Sequence, residues 1–196
     1  MRKIFIDGGA HMGESIDLFR ATVPEHVGFE IHSFEPNPAM WELLEKKGVT
    51  LHRYGLWNKD ENRYFYIGKF SEGSTYVQGK VSGKVDYSHP VPSRCIRLSK
   101  WIQDNFTKDD FIILKLDIEG AEYAVLDDLI NTGVMVDYID VLCGELHSTG
   151  VGGRIVSMPH ETKSNMEHRL KDMGIKFMRW NDHRNNESAP EFEFTI

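Results

Sequence analysis

Arg2–Lys3–Ile4–Phe5–Ile6–Asp7–Gly8–Gly9–Ala10–His11–Met12–Gly13 is the stretch that decides the fold. An apolar strand ends in a carboxylate, turns on glycines and enters a helix from Glu14 to about Thr22, with Ile16, Leu18 and Phe19 on its inner face. Strand, glycine turn and helix in that order make the first βα unit of a Rossmann-like sheet. Glycines suit the turn because the backbone there must bend tightly and pass close to a ligand. The dinucleotide pattern G-x-G-x-x-G is not kept, since Gly9 and Gly13 enclose Ala10, His11 and Met12. A nucleoside ligand without a pyrophosphate fits that departure. The next strand ends in Ser33–Phe34–Glu35–Pro36–Asn37–Pro38, and an acid at that place hydrogen-bonds ribose hydroxyls in this architecture. Glu35 also has a plainer reading, as an acid favouring a helix N-terminus with Asn37 as its cap and Pro38 at N1. The two features in this order favour a nucleoside site.

Working outward, His32–Phe34 reads as a strand, Ala39–Lys47 as a helix stopped by Gly48, and Val49–Tyr54 as a third strand. Asn62–Ile67 alternates like an antiparallel excursion. From Gly68 to Arg94 the chain is irregular, and a loop of that length inside a compact domain is usually functional. It is expected to border the site of chemistry and to exclude water from it. Cys95–Leu98 resumes regular structure, with a short helix capped by Ser99. Phe111–Asp117 is the most apolar strand, as a central parallel strand covered on both faces should be. A helix over Ala121–Ile130, a strand over Tyr138–Gly144, a helix over Thr162–Met173 and a closing strand pair, Ile175–Trp180 with Glu191–Ile196, complete the series. The expected fold is α/β: a doubly wound, mostly parallel sheet with one antiparallel strand near the C-terminus.

The 196 residues, 40% hydrophobic, suit one domain, 1–196. No apolar run has the length of a membrane span, and the N-terminus reads as a strand rather than a signal peptide. Cys95 and Cys143 sit in different strands and read as buried free thiols of a reducing, cytoplasmic compartment. A net charge of −7 without a basic cluster argues against a nucleic-acid substrate.

Ligands of open α/β sheets bind outside the carboxyl ends of the strands. Asp7, Glu35, Asn58, Asp117 with Glu119, and Glu145 with His147 all fall at such ends. Three stretches carry a resemblance: Phe5 to Gly13, Phe34 to Pro38, and above all Leu114–Lys115–Leu116–Asp117–Ile118–Glu119–Gly120–Ala121–Glu122. They resemble the FkbM-type methyltransferases, class I S-adenosylmethionine (SAM)-dependent enzymes that are mostly O-methyltransferases of sugars and polyketide-like natural products. Glu145–Leu146–His147 looks like the family's Glu-x-His, and His11 stands where the family usually has Asn.

The resemblance implies SAM as cofactor. Asp7, Gly8, Gly9, Ala10, His11, Met12 and Gly13 would face its methionyl part, and Glu35 with Pro36 its ribose. Leu56 or Trp57 would lie on the adenine ring, with Asn58 reading the adenine amino group. Asp117 would share the cleft. Trp57 is as readily a core or rim aromatic. For the chemistry, His147 is the natural base because its ordinary pKa lies near neutrality, with Glu145 orienting it or serving instead and Asp117 beside them. A strand-end histidine without a role is the bland alternative. Asp117, Glu145 and His147 also offer ligands to a divalent ion such as Mg²⁺, although nothing in their spacing favours a required metal. The expected acceptor is a small molecule or glycan, with a sugar hydroxyl leading. Two other readings stay open, an NAD-binding oxidoreductase and a non-catalytic SAM-binding module.

Overall fold

The computed structural model describes residues 1–69, 73–149 and 155–180. Its centre is a parallel sheet built from β1 (Lys3–Gly8), β2 (Phe29–Phe34), β3 (Thr50–His52), β7 (Phe111–Leu116), β8 (Val141–Gly144) and β9 (Phe177–Arg179). The strands lie in the order β3-β2-β1-β7-β8-β9, so the chain builds outward from β1 and then returns to its other side at β7. β1 pairs in register with both neighbours, Asp7 opposite Ser33 and Lys115. β9 runs parallel to β8, and the expected partner strand, Glu191–Ile196, lies outside the described residues.

Alternation along β1 divides the core. Ile4 and Ile6 point to one face with Ile112 and Leu114, where α3 (Leu98–Asn105), α4 (Glu122–Asn131) and α6 (His160–Asp172) cover them. Phe5 points to the other, stacked on Phe19 of α1 (Glu14–Thr22) at 4.2 Å between ring centroids. Cys143 is buried on that second face and Cys95 elsewhere, both free thiols.

Several expected boundaries move. The segment read as Ala39–Lys47 is a 3-10 turn, Pro38–Met40, followed by a short α2, Trp41–Glu45. Val49–Tyr54 is not one strand: β3 ends at His52 and a separate β4, Gly55–Trp57, joins another sheet. That sheet has the order β4-β6-β5, with β5 at Glu61–Phe65 and β6 at Val91–Arg97. β6 is parallel to β4 and antiparallel to β5. Ser99 lies inside α3 and its hydroxyl donates to Asp128 instead of capping. Before β8 the chain makes α5, Val134–Tyr138, so the strand starts only at Val141.

Candidate functional site

The glycine turn is held from beneath. Asp7 is fully buried at the end of β1; its Oδ2 accepts from the Ser15 hydroxyl at 2.6 Å, and its Oδ1 lies 3.2 Å from Lys115 Nζ. Lys115 also donates to the carbonyls of Gly9 at 2.9 Å and Gly8 at 3.2 Å. Burial alone would lower the lysine's pKa, but Asp7 and then Asp117 hold it above the ordinary value, so the ammonium stays charged. Gly9 takes φ +79°, and a Cβ there would stand 2.0 Å from the Asp117 carbonyl. Glycine is therefore required here by the neighbouring strand's backbone.

Glu35 joins this turn to the next one. It is 6% exposed, and its carboxylate accepts from the His11 N–H at 2.8 Å and from the Asn37 N–H at 2.7 Å. Burial pushes its pKa up, while the Asn37 and His11 amides oppose the shift. Capping of the 3-10 turn belongs to Asn37, whose Oδ1 accepts from the Ala39 N–H at 3.1 Å. The carboxylate and the cap are thus separate devices, one facing the cleft and one the turn.

The charged string after β7 folds around Glu122. This fully buried carboxylate accepts from the Ile118 N–H and the Gly120 N–H, each at 2.8 Å, and meets His147 Nδ1 at 2.9 Å. On the other side of the ring, His147 Nε2 lies 3.1 Å from Glu119, 3.8 Å from Asp117 and 3.9 Å from Glu145. Burial would lower the imidazole's pKa, but Glu122, then Glu119 and Asp117, push it up to about 10. The ring is therefore an imidazolium at neutral pH. Glu119 adopts φ 55°, an uncommon conformation for a non-glycine residue that is found at functional sites.

These pieces border one cavity of about 510 Å³ outside the carboxyl ends of β1, β2, β4 and β7, within the 300–1,000 Å³ range of cofactor pockets. Gly9, Ala10, His11, Glu35, Pro36 and Leu56 line it, as do Asp117 and Glu145. Asp7, Gly8, Met12, Gly13 and His147 do not appear in its wall. Asn58 is exposed away from it, and Trp57 faces a second groove with the Arg63 guanidinium 3.8 Å from its ring centroid. Leu56 and Trp57 are consecutive on β4 and so point to opposite sides.

The irregular segment borders the cavity as expected, through Tyr76, Lys80, Ser82 and Gly83; the sequence reading singled out none of these four as site residues, nor Phe34 and Tyr54, which also line the wall. No periodicity marks that segment, and its bridges Tyr66–Thr75, Gly68–Val85 and Lys80–Ile155 are isolated. The donor atoms of Asp117, Glu145 and His147 lie within 4.8 Å of one another, but His147 can join the two carboxylates as a cation ligand only as the neutral imidazole. Among the described residues no helix is long and apolar enough to cross a membrane.

Neither the curated proteins nor the solved structures compared with the chain give a match. A family model described as "Methyltransferase FkbM domain" matches residues 7–155, a span that runs from the carboxylate beneath the glycine turn, through the string folded on Glu122, to past His147. On that match the chain belongs to the FkbM methyltransferase domain family.

Proposed function

We propose that this methyltransferase uses SAM and methylates oxygen, with a sugar hydroxyl of a glycan or glycosylated metabolite as acceptor. The observation that carries the reading is Glu35: a buried carboxylate, fixed by two backbone amides, opening on a cavity of cofactor size at the sheet's switch point. Such a group suits a ribose diol, and the non-dinucleotide glycine turn suits a ligand without phosphate. Gly9, Ala10 and His11 face the methionyl part in this assignment. Leu56, rather than Trp57 or Asn58, is placed against the adenine.

SAM supplies an activated methyl group on sulfur. The protein's part is to hold the acceptor oxygen in line, worth up to about 7–11 kcal/mol, and to take its proton, worth about 10²–10⁴-fold. Of the carboxylates in the cavity wall, Glu35 is held by two backbone amides and Glu119 by Lys80 and His147; we assign the proton to Asp117 or Glu145. His147, expected from sequence as the base, is 2% exposed and already protonated between Glu122 and Glu119. In this assignment it steadies the carboxylates.

Turnover of SAM to S-adenosylhomocysteine across a sugar panel, read against pH, tests the proposal. Glu145→Gln or Asp117→Asn should lower kcat about 10²-fold, and the rate should show no acidic limb centred near pH 6.5. A limb there would return the base role to His147. Loss of activity in EDTA that Mg²⁺ restores would make Asp117, Glu145 and His147 metal ligands. Tight NAD binding without SAM binding would overturn the reading.

A further inference from the structure

Lys80 has no part in the roles assigned so far, yet its side chain is 1% exposed and lines the cavity. Lysine is almost never fully buried unless paired, and its ammonium is paired with Glu119 Oε2. That same oxygen lies 3.1 Å from His147 Nε2. A residue from the strap over 73–90 and a residue from β8's end thus meet on one carboxylate atom of the loop after β7.

The backbone reinforces the meeting. Lys80 donates its N–H to the Tyr87 hydroxyl at 2.7 Å and bridges Ile155. The Glu119 carbonyl accepts from the Thr75 hydroxyl at 2.7 Å. Gly73 and Gly83 pack so closely that a Cβ on either would lie within 2.7 Å of the other's Cα. Lys80, Glu119, His147 and Glu122 form a continuous series of paired side chains, three of them buried, and removing one member leaves its neighbour without a partner.

Resting on the methyltransferase reading, we infer that Lys80 is a positioning residue, through which the 73–90 strap fixes Glu119, the His147 ring and so the acceptor edge formed by Asp117 and Glu145. The strap then belongs to the transfer site itself and is more than a cover over the cavity. Coupling is the content of the claim: loosening the strap at Lys80 has to loosen the loop at Glu119.

Hydrogen exchange on the full chain tests this without knowledge of the acceptor. Lys80→Met should raise exchange at least tenfold at amides of both 75–87 and 118–120, leave β1 and β7 protected, and be reversed by Lys80→Arg. With whichever sugar of the panel the wild type methylates, Lys80→Met should lower kcat at least tenfold with the KM for SAM within about twofold. Unchanged exchange at 118–120 overturns the inference, as does a rise that extends through β1 and β7, which would mark a general loss of stability. Failure of the wild type to bind S-adenosylhomocysteine would sink the methyltransferase reading instead, and the exchange comparison would still decide the coupling.

Discussion

A carboxylate placed as Glu35 is would be costly without donors, and the amides of His11 and Asn37 supply them. Glu35→Ala should weaken S-adenosylhomocysteine binding by about 1.5–3 kcal/mol, the scale of hydrogen bonds to a charged group; calorimetry on folded variant reads it. Because burial raises this carboxyl's pKa above 4.5, affinity should begin to fall at a pH higher than an exposed glutamate would dictate, and Glu35→Gln should abolish that dependence. The sign is reversed for stability at His147. Its folded pKa near 10 against an ordinary 6.5 means its pairing stabilises fully below pH 6.5 and is lost as pH rises through about 10. The stability gap between wild type and His147→Gln, measured in denaturant, should therefore narrow from pH 7 to pH 10. A constant gap would show that the ring is not held as an imidazolium.

At the scale of elements, the β1–α1 turn was legible because its cause is local: an apolar run, glycines, then helical spacing. Its support was not. Lys115 and Asp7 are 108 positions apart in sequence, and nothing local says that an apolar strand's lone lysine will reach under a glycine turn. Asp7, expected at the ligand, lies beneath the turn and outside the cavity wall, where its carboxylate meets Ser15 and Lys115. Breaking such a buried pair by removing one partner costs about 3–5 kcal/mol, whereas replacing both by apolar groups is often close to neutral. Lys115→Met should destabilise on that scale, and Asp7→Leu added to it should recover most of the loss in urea unfolding. Additive losses would mean that Lys115 acts through the Gly8 and Gly9 carbonyls instead. β4 was hidden differently: three residues carry no periodicity of their own, so the boundary after His52 and the turning of Trp57 away from the cavity come only with the pairing to β6.

For the whole molecule, strand order follows from rules the sequence can invoke, since alternating strands and helices with right-handed crossovers leave few topologies. The cleft then falls where the order reverses, between β1 and β7, and the sequence-expected residues Glu35, Leu56, Asp117 and Glu145 converge there. That the irregular segment borders the cleft was legible from its length and irregularity, but which of its residues form the wall was not, because the 73–90 strap is set by isolated bridges that no local pattern announces. A ligand that bridges β1, β2, β4 and β7 must stabilise the fold as a unit. Binding only to the folded state at 100 times Kd adds about 2.7 kcal/mol, and for a chain of this size each kcal/mol shifts Tm by about 2–4 °C. S-adenosylhomocysteine at that excess should therefore raise Tm by roughly 5–11 °C, whereas NAD⁺ at equal concentration should leave it unchanged, because the glycine turn lacks the dinucleotide spacing and its wall is lined by carboxylates. Equal shifts from both ligands would mean that the cleft reads only adenosine, and a shift from NAD⁺ alone would assign the cleft to a dinucleotide. Glu35→Ala should remove most of the S-adenosylhomocysteine shift while leaving the Tm of the free protein to report separately on the amides it releases.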